Sequence, residues 1–236
     1  MIPKQIYLSW PDDKIWNLDH KLVHMGLHSL RDLNPAYDIQ IYNDEQVTWD
    51  LKQFLNARDY GLVENSPIIQ QIDLWRLIKL YSNGGVYCDM DRIHDTPLDI
   101  QDHVKCVLPL CANVGFSHDF MATESGNPIF LRAIEMNLGH RQQGNHHTYL
   151  LGPQTYMHAI TECIVGYQID VYPATQDLDH LKQIIQHTDF LLTVPEVPPL
   201  FTITSKNLTN LTLQDHESLK RELYKLSNLT HWTGEW

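Results

Sequence analysis

Residues 72–91 read Ile-Asp-Leu-Trp-Arg-Leu-Ile-Lys-Leu-Tyr-Ser-Asn-Gly-Gly-Val-Tyr-Cys-Asp-Met-Asp: an apolar helical run, a Gly-Gly turn, then a short apolar strand ending on two carboxylates. Acids at i and i+2 of a strand project from the same face, and where the strand ends and the backbone bends both can reach one ion. In an open α/β sheet the end of a strand is also where ligands bind. Asp89 and Asp91 are therefore the first candidates for a metal site.

The segments on either side give this unit a sheet to belong to. Residues 2–10 look like a first strand, and Leu18 to Leu33 like a helix with Leu22, Met25, Leu30 and Leu33 on its apolar face, ended by Asn34-Pro35. Tyr37 to Tyr42 alternates at period two, as a half-buried strand does. Asp44 is read as the N-cap of a helix ending near Arg58. Ser66-Pro67 is read as an N-cap with proline at N1, opening the helix that carries Asp73 and Arg76 and stops at Asn83-Gly84-Gly85. Further along come a strand at 104–110, a segment from Phe116 to Met121, a helix near 128–138, another opened by Gly152-Pro153, and a last one near 214–226. Strands alternating with helices imply an α/β sandwich with a mostly parallel sheet. With no repeat or linker to divide it, residues 1–236 are read as one domain.

Composition excludes some partners. A formal charge of −12 repels phosphate backbones and anionic membrane surfaces, so nucleic acid is not an expected partner. No apolar run reaches 18 residues and the first strand-like segment begins at Ile2, so neither a transmembrane segment nor a leader is expected, and the chain is read as cytoplasmic, bacterial or viral. Cys88, Cys106, Cys111 and Cys163 have no paired spacing and are read as reduced, mostly buried thiols. The Asn-Leu-Thr triplets at Asn207, Asn210 and Asn228 are then chance sequons.

Hard divalent cations take oxygen ligands, so Asp89 and Asp91 with phosphate oxygens suit one shell, and the ion would neutralise charge developing on a leaving diphosphate. Any Asp-x-Asp alone is a weak signal; its place after Gly-Gly-Val-Tyr-Cys makes it a stronger one. Asp73 and Arg76, three apart, have two readings. On an exposed face they are an ion pair worth about a few tenths of a kcal/mol. On a helix that also carries Ile72, Leu74, Trp75, Leu77, Ile78 and Leu80 they are expected to be buried and to grip sugar hydroxyls, one accepting and one donating hydrogen bonds.

These motifs resemble those of glycosyltransferase family 32, the group with the Asp-x-Asp sugar-binding region that includes fungal α-mannosyltransferases and many capsular polysaccharide transferases. Its opening Ile-Pro-Lys-x-Ile-His-x-x-Trp appears as Ile2 to Trp10, with Tyr7 in place of histidine. Its Asn-Pro-x-Tyr appears at Asn34 to Tyr37, and its central motif from Ile72 to Asp91, with Ile72 replacing serine. Its closing His-x-Trp-x-Gly-Ser-Trp is loosely matched by His231-Trp232-Thr233-Gly234-Glu235-Trp236. The resemblance implies a GT-A type, Rossmann-like α/β/α sandwich and metal-dependent (Mn²⁺ or Mg²⁺) retaining transfer from a nucleotide sugar. It implies that Trp10 packs near the base, although a tryptophan there is as often plain core. It gives Asp73 and Arg76 to the donor sugar, Asp89 to ribose and metal, Asp91 and His231 to the metal, and Gly85 and Trp236 to the donor site, with the Trp-rich tail closing as a lid. The chain departs from the family at Ser117 to Thr123, at Asn127 and at Glu235.

Retention needs a carboxylate nucleophile or front-face attack by the acceptor hydroxyl. Asp119 is a nucleophile candidate by position alone and Gln154 a weaker one, so front-face transfer is preferred. The expected reaction moves a hexose from a UDP- or GDP-sugar to a hydroxyl of a glycan or glycolipid; the oligomeric state is left open. Two rivals stand beside it. A haloacid dehalogenase-type phosphohydrolase also ends an apolar strand on Asp-x-Asp, but on its first strand and with Thr or Val where this chain has Ile93. The other is an idle sugar-nucleotide-binding protein.

Overall fold

Strand β1 (Gln5–Ser9) sends Tyr7 to one side and Ile6 and Leu8 to the other, and all three are buried, so the sheet built on it is covered on both faces. The computed structural model describes residues 1–94, 96–102, 104–108, 110–111, 115–116, 118–165, 213–227 and 229. In it β1 runs parallel to β2 (Asp38–Tyr42) and to β3 (Gly85–Cys88), with Ile6 opposite Ile39 and Tyr7 opposite Tyr87. Beyond β3 the described chain adds β4 (Cys106–Val107), a separate antiparallel pair β5 (Leu110–Cys111) and β6 (Gly115–Phe116), and β7 (Phe120–Thr123). The main sheet has the order β2-β1-β3-β7-β4, and β7 alone runs against the others. The sheet is thus mixed and mostly parallel, and the alternation of strands and helices implied the mostly parallel part.

Two helical layers cover it. The first begins after a 3₁₀ turn (Asp13–Asn17), with α1 (Lys21–Val23), a π turn (His24–His28) and α2 (Ser29–Leu33). The second holds α3 (Asp44–Phe54), α4 (Ala57–Gly61), α5 (Ile68–Asn83), α6 (Pro128–Gln142) and α7 (Thr155–Val165). The last described helix, α8 (Leu213–Leu226), joins the first layer, where Leu223 packs with Leu22, Val23, Val86 and Cys88. On the opposite face Tyr87 and Met121 meet Leu51, Trp75, Phe130 and Tyr156. Among the described residues no helix is long and apolar enough to cross a membrane.

Several boundaries differ from the sequence reading. Asn43, not Asp44, caps α3: its Oδ1 accepts from the Gln46 N–H at 2.9 Å, and the Gln46 side chain accepts from the Asn43 N–H at 2.9 Å. This reciprocal box satisfies two otherwise orphaned donors and leaves Asp44 in the first turn, where its charge suits the helix dipole. Asn43→Ala is expected to cost about 0.5–2 kcal/mol, read as a shift in the urea midpoint with an unchanged slope. The helix read as reaching Arg58 stops at Phe54, because Asn56 caps a new one. Ser66 does not cap α5, since its hydroxyl accepts from Arg141 at 2.6 Å and Pro67 occupies the cap position. The helix expected over 18–33 starts only at Lys21, where the His20 ring accepts the Leu22 N–H. Gly152-Pro153 lies inside a π turn (Leu150–Gln154) leading into α7 rather than opening a helix, and the widened turn accommodates the proline's missing N–H.

The turn between α5 and β3 needs both of its glycines. Gly84 and Gly85 have φ of 68° and 104°, and a Cβ would lie 2.8 Å from the Ser125 nitrogen at the first and 2.8 Å from the Gln5 carbonyl oxygen at the second. The turn therefore lays β3 flush against β1 and aims its far end, with Asp89, at the cavity.

Candidate active site

A cavity of about 430 Å³ opens beyond the ends of β1 and β3. Its floor is made by the helix that composition marked as buried. Asp73 and Arg76 lie on one face of α5, each 4 % exposed, with Arg76 Nη2 3.0 Å from Asp73 Oδ1. The guanidinium also donates from Nη1 to Asp89 Oδ1 at 3.2 Å and to the His118 carbonyl at 3.0 Å, and it stands 4.3 Å over the Tyr87 ring. The pair is thus buried, as the crowding of apolar residues on the helix predicts, rather than exposed on a surface face.

The other wall is the end of β3. Tyr87, two residues before Asp89 and on the same side of the strand, donates its hydroxyl to Asp89 Oδ1 at 2.6 Å. The Asp89 N–H donates to the Asp119 carbonyl at 2.8 Å, so β7 fixes the bend that leads to Asp91. Asp91 is 13 % exposed and Asp89 29 %. Lys220 of α8 donates to Asp91 Oδ2 at 2.6 Å, and the His216 Nε2 donates to the Asp91 carbonyl at 2.9 Å.

Burial and charge act in opposite directions on these acids. Burial pushes the Asp73 carboxyl up, but Arg76 and His118 outweigh it and hold it below the ordinary carboxylate range. Burial also pushes Asp89 up; Arg76 offsets part of that, Asp91 and Asp119 add to it, and Asp89 ends raised. Asp91 is lowered because Lys220 outweighs its burial. Two acids with separated affinities for positive charge thus share one wall.

Of the sequence candidates, Trp10, Asp73, Arg76, Asp89 and Asp91 all line the cavity. Trp10 is both core and wall, 6 % exposed and edge-on to Tyr224 at 5.8 Å. Gly85 is not brought there: it starts β3 at the end remote from Asp89 and packs on Gln5. Asp119 is not a lining residue either, since its Oδ2 is bound to Arg92 at 2.5 Å. Gln154 sits beside the lining Pro153 without lining the cavity itself. His231 and Trp236, like Glu235, lie outside the described residues.

Sequence reasoning missed four contributors. Tyr87 could have been found from its i−2 relation to Asp89. His118, whose Nε2 is 3.4 Å from Asp73 Oδ1, stood in a segment noted only as a departure. Lys220 and Tyr224 face the cavity from a helix more than 120 residues downstream of Asp91, and no spacing rule links them to it.

Among the described residues no group of three or more His, Cys, Asp or Glu is arranged to hold a metal. The two carboxylates nevertheless fit a hard divalent cation that keeps water and takes ligand phosphate oxygens, because such ions need only one or two protein carboxylates.

The family model described as the glycosyltransferase sugar-binding region containing the DXD motif matches residues 20–107, from the residue before α1 through β4, and so includes Asp73, Arg76, Asp89 and Asp91. Among curated proteins the chain is similar to inositol phosphoceramide mannosyltransferase 3 of Schizosaccharomyces pombe, 29 % identical over 154 residues that make up 63 % of this chain and 40 % of the relative. It is also similar to inositol phosphoceramide mannosyltransferase 1 of the same organism, 27 % identical over 164 residues, 67 % of this chain and 48 % of the relative. The matches thus span less than half the length of these curated relatives. Among solved structures, the PaToxG glycosyltransferase superposes with a TM-score of 0.52 over 93 % of this chain and 86 % of its own, at 18 % identity. That likeness is one of fold, and it supports the GT-A-like architecture.

Proposed function

We propose that this chain, which carries the glycosyltransferase sugar-binding region containing the DXD motif, moves a hexose from a nucleotide sugar to a hydroxyl of a glycan or glycolipid with a divalent cation bound. One observation carries the reading: a single cavity has the Asp89 and Asp91 carboxylates on one wall and the buried Asp73–Arg76 pair on its floor. Asp89 and Asp91 would hold Mn²⁺ or Mg²⁺, which when bound supplies positive charge to the diphosphate as it leaves. Asp73, which lines the cavity, would accept from sugar hydroxyls, and Arg76, its guanidinium locked by two carboxylates and a carbonyl, keeps Asp73 ionised. Trp10 and Tyr224 offer aromatic faces for the base at the same end of the cavity.

The acceptor oxygen attacks the anomeric carbon on the side from which the phosphate departs. The bond from that carbon to the phosphate oxygen breaks, and the acceptor's proton passes to the leaving phosphate oxygen. With Asp119 tied to Arg92 off the cavity, the carboxylates that line it among the described residues are Asp44, Asp73, Asp89 and Asp91, and the last three already have other partners, which favours front-face transfer over a covalent intermediate. Asp119 is then a positioning residue, whose carbonyl holds the Asp89 N–H. Mannose is placed first among donor sugars and a glycolipid first among acceptors, because both curated relatives are named for mannosyl transfer to inositol phosphoceramide. The phosphohydrolase reading loses ground, since the motif lies on the third strand and the family match is to a transferase region.

The test is binding and slow hydrolysis of a panel of UDP- and GDP-sugars, with Mn²⁺ and with EDTA, on the parent chain and on Asp91→Ala. One donor is expected to be preferred with metal, and the substitution to lower its turnover on the order of 10²-fold or more. Cleavage of a simple phosphate monoester without binding of any nucleotide sugar would overturn the reading.

A further inference from the structure

Two cationic side chains, Arg76 and Lys220, line the cavity among the described residues. Arg76 is locked at 3.0–3.2 Å by Asp73, Asp89 and the His118 carbonyl. Among the described residues Lys220 has a single carboxylate partner, Asp91 Oδ2 at 2.6 Å, and it has a flexible four-carbon stem ending in a point charge.

The helix that carries Lys220 is firmly seated. Leu223 is fully buried, Leu219 and Tyr224 pack on the same core, and Tyr224 meets Trp10 edge-on. One turn before Lys220, the buried His216 ring is bonded to the Asp91 backbone carbonyl at 2.9 Å. Asp91 is therefore gripped from one helix face at both its backbone and its carboxylate. His216 holds the backbone in place whatever the carboxylate binds, so the lysine can release Oδ2 without the helix leaving.

An ammonium and a divalent ion cannot share one carboxylate oxygen without strong mutual repulsion in a partly desolvated wall. We propose that Lys220 is a built-in competitor for the cation position at Asp91: it neutralises Asp91 in the ligand-free chain, and when a divalent cation takes Asp91 its ammonium turns to the diphosphate of the incoming nucleotide. The inference rests on the metal and nucleotide-diphosphate reading given above. Its consequence is coupling. Displacing Lys220 costs metal affinity until a diphosphate is present to receive the freed charge, so cation and nucleotide each favour the other's binding. A chain built this way would load the metal together with the donor.

The measurement is Mn²⁺ binding to the full chain, followed by loss of the free-ion electron paramagnetic resonance signal, without nucleotide and with UDP or GDP, together with the affinity of each nucleotide at saturating Mn²⁺. Lys220→Met is expected to bind Mn²⁺ alone about tenfold more tightly than the parent and the nucleotide about tenfold more weakly, with most of the coupling lost. Lys220→Arg keeps the charge and should keep the coupling, and Lys225→Ala, on the exposed side of the same helix, should match the parent. A helix merely loosened by substitution would weaken both ligands; the opposite signs are the signature of competition. Lys220→Gln, also uncharged, repeats the test if methionine disturbs folding. Unchanged or weaker Mn²⁺ binding by the neutral variants, where the parent binds the ion, overturns the competitor role and leaves the transferase reading standing. Failure of every variant to bind Mn²⁺, with or without nucleotide, overturns the metal reading beneath it as well.

Discussion

Arg76→Met is expected to destabilise the protein by about 3–5 kcal/mol, several times what an exposed helical ion pair contributes. The Arg76 side chain is 4 % exposed and balances two carboxylates, Asp73 at 3.0 Å and Asp89 at 3.2 Å; methionine keeps the stem's packing but leaves both acids without their arginine in a largely buried wall. Urea unfolding measures the loss. The double change Arg76→Met with Asp73→Asn should recover part of the stability, because it removes one of the stranded charges, while donor binding stays lost. The pH dependence carries a sign that a packing defect would not. In the parent, Asp73 is held below its unfolded value of about 3.9, so its contribution is present above that pH and disappears as pH falls through its folded pKa. In Arg76→Met the stranded acids titrate above their unfolded values, so protonation relieves them and the gap between variant and parent narrows on acidification. A loss below about 1 kcal/mol, or a gap that does not vary with pH, would show that the pair is not the buried hinge of the site.

Gly152→Ala is the second large effect. The π turn carries the backbone so close to α5 that a Cβ at Gly152 would lie 2.5 Å from Asp73 Oδ2, 3.0 Å from its Cγ and 3.4 Å from His118 Nε2. The carboxylate has nowhere to retreat, since Arg76 and His118 hold its other oxygen, and Pro153 stiffens the turn behind the glycine. Overpacking of this kind is expected to cost about 1–3 kcal/mol. Turnover should also fall, on the order of 10²-fold, because the group displaced is the carboxylate assigned to the donor sugar. Gly139→Ala in α6 is the control: nothing lies within 4 Å of its Cβ position, so alanine should be neutral or stabilising by about 0.5–1 kcal/mol. If Gly152→Ala keeps the parent's turnover, Asp73 does not need its present position.

Much of the frame was legible in the residues. The run from Ile72 to Asp91 contains its own instructions: too many apolar side chains around α5 for any face to be exposed, two glycines for a turn with positive φ, and a strand whose period carries Tyr87 and Asp89 to one side. Burial of Asp73 and Arg76 followed from that crowding. Caps were misread where two good candidates were adjacent: Asn43 and Asp44 both favour helix starts, and the choice fell to Asn43 because Gln46 could answer it. Ser66 was misread because its hydroxyl is spent on Arg141, 75 residues away.

The candidate site was legible only along α5, the β3 turn and Trp10. The resemblance gives Gly85 to the donor site, yet the four residues of extended strand from Gly85 to Cys88 carry it to the end of β3 remote from Asp89. Asp119 looked available as a nucleophile until the fold placed Arg92 beside it.

Local chemistry alone determined the helix–turn–strand unit, its pair of terminal carboxylates and the α/β class, because each depends on neighbours within a few residues whose spacing matches the helical or strand period. The tertiary structure alone decided what charge each carboxylate meets: Arg76 on Asp73 and Asp89, Arg92 on Asp119, Lys220 on Asp91. Those partnerships join segments as distant as α8 and β3, and interactions between charges depend on separation in space and on burial, neither of which is written in the order of the chain.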